Sequence, residues 1–187
     1  GATQQQDNNG ENRRTAGFAS MDANYKNAVL DEINTIGKFS NGKIRLTSIY
    51  FGGGTPSLAP LSTLHDIMHA IHKPDDAPFT LDEDAEVTIE MDPGTFDMTY
   101  LTAVKEMGFN RISLGVQSFD DTILATMGRV HRSEDVYNTI DMIGRVYGEN
   151  NANYSIDLIS GVPGLTLAGW AETLYEAVRL KPRPAHM

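Results

Sequence analysis

No cysteine occurs among the 187 residues. That absence excludes a disulfide framework, and it excludes a thiolate-held zinc ion or iron–sulfur cluster within these residues. Basic residues are also few: 15 Lys and Arg stand against 25 Asp and Glu, a formal net charge of −10. Nucleic acid is therefore not expected as a main partner, since binding a phosphate backbone needs a basic face. No apolar run approaches the length of a membrane span. The opening, Gly1 to Arg14, is polar and lacks the apolar core of a secretory signal, so the protein is expected in the cytoplasm or an organelle (mitochondrion or plastid) rather than secreted. There is no Gly-Lys-Ser/Thr of a P-loop and no G-x-G-x-x-G of a dinucleotide site.

What is present is organised around Ile49-Tyr50-Phe51-Gly52-Gly53-Gly54-Thr55-Pro56-Ser57-Leu58. A strand runs straight into three glycines, which let the backbone take φ > 0 and let a ligand approach the main chain. Pro56 then ends pairing, and Ser57 is expected to open the next helix.

The rest of the chain repeats this strand-end logic. Residues 1–20 are low in apolar content and read as a flexible arm or loop. From Asp22 the period turns helical, with Tyr25, Val29, Leu30, Ile33 and Ile36 on one face and Gly37 as the stop. A strand follows over Arg45–Phe51, then a helix from Ser57 to His72 with Leu61, Leu64, Met68 and Ile71 as its stripe. Lys73–Ala85 reads as a polar loop. Strands are then expected at Glu86–Asp92, Arg111–Gln117 and Tyr154–Ile159. Helices follow them, capped by Thr95 or Asp97, by Asp120-Asp121, by Ser133 and by Thr166, the last with Trp170, Leu174 and Val178 inward. The final Pro182–Met187 reads as a loop leading onward, and the first residue is not Met. The expectation is a piece of a longer barrel domain, residues 21–187, continuing beyond both ends.

Four βα units in series imply parallel strands and right-handed crossovers. Buried parallel strands are usually apolar on both faces. Here Val87, Ile89 and Met91 alternate with Thr88, Glu90 and Asp92, and Ile112, Leu114 and Val116 with Ser113, Gly115 and Gln117. One apolar and one polar face per strand suggest a βα barrel whose lumen holds a polar ligand at the C-terminal strand ends. Gly54-Thr55, Glu90, Gln117 and Asp157 occupy that position.

The series Tyr50-Phe51-Gly52-Gly53-Gly54-Thr55-Pro56-Ser57, Glu90-Met91-Asp92-Pro93-Gly94-Thr95, Asn110 to Phe119, Met127-Gly128-Arg129-Val130-His131 and Asp157 to Gly164 resembles radical S-adenosylmethionine (SAM) proteins. The group is that of oxygen-independent coproporphyrinogen III oxidase. Gln117-Ser118-Phe119 and Gly128-Arg129-Val130-His131 are similar to its heme-chaperone (HemW) branch. The resemblance covers roughly residues 22–187. It implies a partial (βα)6 TIM-like barrel, an α/β fold represented here by about four βα units preceded by a helix. It also implies a [4Fe–4S] cluster on a C-x3-C-x2-C loop, SAM as the ligand of the fourth iron, an electron donor, and heme or a porphyrin as partner. The missing cysteines are the main departure, and the loop that carries them is expected upstream of Gly1.

Carried over by motif, Gly53, Gly54 and Thr55 would line the methionyl part of SAM, and Glu90 would accept from the ribose hydroxyls. Gln117, Arg129 and Asp157 match further SAM contacts, with Arg129 suited to the methionyl carboxylate. The resemblance assigns no catalytic residue and no metal ligand within this chain. His65, His69 and His72 share one helix face, yet Asp66 stands where the zinc motif H-E-x-x-H has Glu, so surface histidines are expected. For His131 a capping or packing role competes with ligation of heme iron. Three functions stay open: a heme-handling radical SAM protein, a coproporphyrinogen III oxidase that decarboxylates propionates, and a cluster-free binding module.

Overall fold

The computed structural model describes residues 8–39, 43–72, 77–149 and 152–180. Along the chain lie α1 (Asn8–Phe39), β1 (Ile44–Phe51), a 3-10 turn (Pro56–Leu58), α2 (Leu61–His72), β2 (Phe79–Met91) and α3 (Met98–Glu106). Then come β3 (Arg111–Gln117), α4 (Asp121–Thr126), α5 (Ser133–Tyr147), β4 (Tyr154–Leu158) and α6 (Leu167–Arg179). The strands form one sheet in the order β1-β2-β3-β4, and the β2–β3 and β3–β4 pairs are parallel. Strands that follow chain order, each succeeded by a helix, make a run of a βα barrel. The partial barrel read from the sequence is the architecture observed.

The chain divides into two compact units, residues 1–46 with 59–82 and residues 47–58 with 83–187. β1 and β2 each begin in the first and end in the second.

In the first unit α1 packs on α2. Lys26 Nζ reaches Asp66 Oδ2 at 2.8 Å, and Thr63 Oγ1 donates to Asp22 Oδ2 at 3.0 Å. The ammonium beside it holds the Asp66 carboxyl below its usual range. Of the expected apolar face, Val29, Leu30 and Ile33 turn inward, joined by Lys26 and Gly37, while Tyr25 and Ile36 stay exposed. Gly37 does not end the helix, which continues to Phe39. A Cβ there would lie 2.7 Å from Pro78 Cβ, so the glycine permits a close approach. Nor does α1 start at Asp22: residues 8–20, read as an arm from their composition, are helical. Low apolar content does not oppose a helix where Ala, Arg and Glu supply propensity. Residues 1–7 lie outside the described residues. α2 buries Leu64, Ile67, Met68 and Ile71. The His65 and His69 rings stack at 5.9 Å on its exposed side, and the His72 side chain lies outside the described residues. β2 starts at Phe79, well before the expected Glu86. Pairing continues there because Ile44 N–H donates to Pro78 O at 2.9 Å and Arg45 pairs with Asp82.

In the second unit β3 is buried along its whole length. Its apolar side chains Ile112, Leu114 and Val116 join Val87, Ile89, Met91 and Ile156 in the core, with Leu101, Val104, Leu124, Val136 and Ile143 from the helices. Each such side chain contributes about 1.5–3 kcal/mol by leaving water. The opposite face is polar as expected but not open along its length, since Thr88, Ser113 and Ser155 are buried too. Thr88 and Ser155 fill the lower part of this face, and Ser113 lies between them and the strand-end cleft that it helps to line. Asp97, Asp120 and Thr166 cap α3, α4 and α6. For α5 the cap is Arg132 rather than Ser133, with the Asp135 carboxylate accepting from Arg132 N–H at 2.8 Å. α6 turns Thr173 and Ala177 inward and leaves Val178 exposed, unlike the expected Trp170–Leu174–Val178 face. Ser57 does not open a helix. It is buried in the 3-10 turn, where Oγ accepts from Asp92 N–H at 3.3 Å and meets Thr95 Oγ1 at 3.0 Å, and α2 begins only at Leu61. No helix among the described residues is long and apolar enough to cross a membrane.

Candidate functional site

The strand ends of the second unit surround a cleft of about 210 Å³. Gly54, Thr55, Glu90, Gln117, Arg129 and Asp157, all singled out from the sequence, line it. Gly53 joins them through its N–H, which donates to Glu90 Oε2 at 2.9 Å. Asp92, Ser113 and Gly115 also line the cleft and were not singled out as site residues.

Strand register explains the convergence. Glu90 lies opposite Ser113, and Ser113 opposite Ser155, so the three form one row across β2, β3 and β4. Asp157 sits two residues beyond Ser155 on the same face, and both its oxygens accept from Ser113 Oγ, at 3.3 and 3.1 Å. The glycine turn after β1 closes this row. Gly53 and Gly54 have φ of 84° and 64°, a region that suits glycine, and a Cβ on either would meet nothing. Glycine is needed there for conformation, not for space.

Glu90 is held at both oxygens: Tyr50 Oη donates to Oε1 at 2.8 Å and Gly53 N–H to Oε2. Partial desolvation of its hydroxyl and the bond to Glu90 raise the Tyr50 phenol above its ordinary pKa, although the ring itself is exposed. Asp92 Oδ2 accepts from Thr55 Oγ1 at 3.3 Å and faces Arg129 Nη1 at 3.6 Å.

At the end of β3, Gln117 has φ 67°, and Ser118 N–H donates to Val116 O at 2.8 Å. This is a γ-turn with a non-glycine residue at its centre, an uncommon and strained arrangement. The buried His131 secures it: Nε2 lies 3.1 Å from Val116 O, and because a carbonyl only accepts, that nitrogen carries the proton. His131 thus fills the packing role weighed for it, with Nε2 committed to the backbone. Ser118 is buried as well, its Oγ accepting from Asp120 N–H at 3.1 Å.

Arg129 is presented by a clasped loop. Its N–H closes onto Leu124 O at 2.9 Å, and the Arg132 guanidinium donates to the carbonyls of Arg129 and His131, each at 2.9 Å. Ser133 N–H donates to Asp121 Oδ1 at 2.7 Å, which holds that carboxyl below its usual range and ties α5 to α4. Nothing in the sequence pattern marked Arg132 for this task, because its partners are main-chain carbonyls.

Residues 18–176 match the radical SAM superfamily. The chain belongs to that superfamily. Among curated relatives it is 44% identical over 138 residues to the heme chaperone HemW of Synechocystis, covering 74% of this chain and 32% of the relative. To the heme chaperone HemW of Bacillus subtilis it is 36% identical over 160 residues, covering 83% and 39%. Among solved structures it is similar to coproporphyrinogen III oxidase (HemN) from Escherichia coli, described as a radical SAM enzyme. The TM-score is 0.74 at 26% identity, covering 87% of this chain and 36% of that one. The chain therefore spans about a third of the length of the relatives it matches.

Proposed function

We propose that this cleft binds SAM as part of a HemW-type radical SAM protein that handles heme. The observation that carries the reading is the convergence of the glycine turn, Glu90, Gln117, Arg129 and Asp157 on one polar cleft. The side chains fit the parts of the ligand. Glu90, acceptor-only when ionised, suits the ribose diol. Arg129 suits the methionyl carboxylate, and its 3.6 Å spacing from Asp92 leaves guanidinium donors for a second anion. Gly54 and Thr55 offer backbone and hydroxyl contacts to the amino acid end, and Asp157 can accept from an amine or hydroxyl. Bound SAM would supply its adenosyl group for one-electron chemistry. The residues do not fit an iron–sulfur cluster, because the chain has no thiolate, and no step is routed through one. In this reading the cluster ligands, and the surface that meets an electron donor, belong to the two-thirds of the relatives' length that these residues do not span.

The heme assignment rests on the HemW relatives and on the Gln117-Ser118-Phe119 and Gly128–His131 forms. Ser118 and His131 are both buried in backbone-bonded roles, so these forms shape the loop that presents Arg129 rather than adding ligands. The similarity to HemN favours a second reading, oxidation of coproporphyrinogen III.

Titrating the chain with SAM tests the site. Glu90→Ala should weaken binding by about 1.5–3 kcal/mol, the worth of a hydrogen bond to a charged group. Equal affinity of variant and wild type would overturn the strand-end assignment. Heme titration and anaerobic turnover of the whole protein separate the two readings: heme uptake without decarboxylated porphyrin supports the first, and the reverse supports the second.

A further inference from the structure

Glu90, which lines the cleft, has a partner to which nothing in the motif pattern assigns a role. Tyr50, the penultimate residue of β1, is 56% exposed, so its ring is not core. Its hydroxyl is nevertheless committed to Glu90 Oε1 at 2.8 Å. The same carboxylate takes the Gly53 N–H on its other oxygen, Oε2, at 2.9 Å. The ring lies over Gly52, where a Cβ would stand 2.5 Å from Tyr50 Cε1 and 3.0 Å from Glu90 Oε1. Gly52 therefore has a steric duty: any side chain there would push the phenol off the carboxylate.

We infer that Tyr50 is a positioning residue that fixes the rotamer of Glu90 for a vicinal diol. A free carboxylate on a strand end rotates. Here one donor on each oxygen, Tyr50 Oη on Oε1 and Gly53 N–H on Oε2, pins its plane. Each oxygen keeps a second lone pair. Two adjacent hydroxyls can then donate one to each oxygen, at no further cost in side-chain ordering. The inference rests on the proposed SAM site and names Tyr50 as the residue that orients its ribose contact.

The test is titration of the full chain and its Tyr50→Phe, Glu90→Gln and double variants with SAM, adenosine and 2′,3′-dideoxyadenosine, beside thermal melts. Tyr50→Phe should raise the SAM and adenosine dissociation constants about five- to tenfold, less than loss of a ligand hydrogen bond to a charged group, because only the orientation of the carboxylate is relaxed. Binding of 2′,3′-dideoxyadenosine and the Tm should not change. In the Glu90→Gln background Tyr50→Phe should add little, because the two act as a unit. Equal weakening for the dideoxy ligand, or additive losses, would make Tyr50 merely structural and overturn the inference. Loss with Glu90→Gln but none with Tyr50→Phe would overturn the inference alone. No loss with Glu90→Gln would overturn the SAM reading itself.

Discussion

Asp92 and Arg129 face each other across the cleft, with Oδ2 3.6 Å from Nη1, while Asp92 Oδ1 hangs over the backbone of Gly115. A Cβ on Gly115 would lie 2.5 Å from that oxygen and 3.0 Å from Gln117 Nε2. One glycine thus lets the carboxylate and the amide share the end of β3. Gly115→Ala should cost about 1–3 kcal/mol of stability as overpacking and should weaken SAM binding with it. Part of the stability should return in Gly115→Ala/Asp92→Ser, since the collision is with the longer side chain. Additive losses in chemical denaturation would show that Asp92 is not what Gly115 accommodates.

A pH prediction follows from three tyrosines, Tyr154 buried and Tyr100 and Tyr147 half-buried. Burial pushes Tyr100 up to about 12 and raises Tyr147 and Tyr154 as well. Tyr147 Oη donates to Phe109 O at 3.0 Å and Tyr154 Oη to Leu180 O at 2.6 Å. In the unfolded chain these phenols ionise near the ordinary value of about 10. The folded state retains their protons longer, so the stabilisation is complete below pH of about 10 and is lost as the pH climbs through the folded values. Denaturant midpoints should fall from about pH 10 upward, with phenolate absorbance lagging until unfolding. Tyr147→Phe should flatten that fall. An unchanged slope would exclude Tyr147 as a contributor.

Reconstitution addresses the cluster. Incubated anaerobically with iron and sulfide, the 187-residue chain should retain no cluster, because cluster iron is held by cysteine sulfur and the chain has none. A stoichiometric, EPR-active cluster on this chain would require ligands of another kind among its residues.

The sequence made the strand ends legible because two local signals coincided there. Apolar–polar alternation located β2, β3 and β4, and a polar or glycine residue closed each strand. Glu90, Gln117 and Asp157 could be read that way. Tyr50, Asp92 and Gly115 could not, since their roles depend on contacts between different strands or across a sharp turn. Tyr50 meets Glu90 from 40 positions away, and no local pattern records that. Ser57 was misread for the same reason: a serine after proline looks like a cap until Asp92 N–H and Thr95 Oγ1 arrive from β2 and its turn. On α1 periodicity weighs apolar residues only: Val29, Leu30 and Ile33 face inward as it predicts, Tyr25 and Ile36 do not, and Lys26 joins the packed side through its ion pair with Asp66.

The γ-turn at Gln117 also sets the chain's own interests against each other. Its φ of 67° is a conformation that glycine would adopt freely, and strain of this kind in another residue costs about 1–3 kcal/mol. Anyone improving this protein for heat resistance alone would be led to glycine at 117 and would gain degrees of melting temperature. The same change would delete the amide from the cleft. A screen scored only on expression or thermal tolerance would therefore enrich for molecules that are better folded and less capable, and position 117 is where that drift should first be seen.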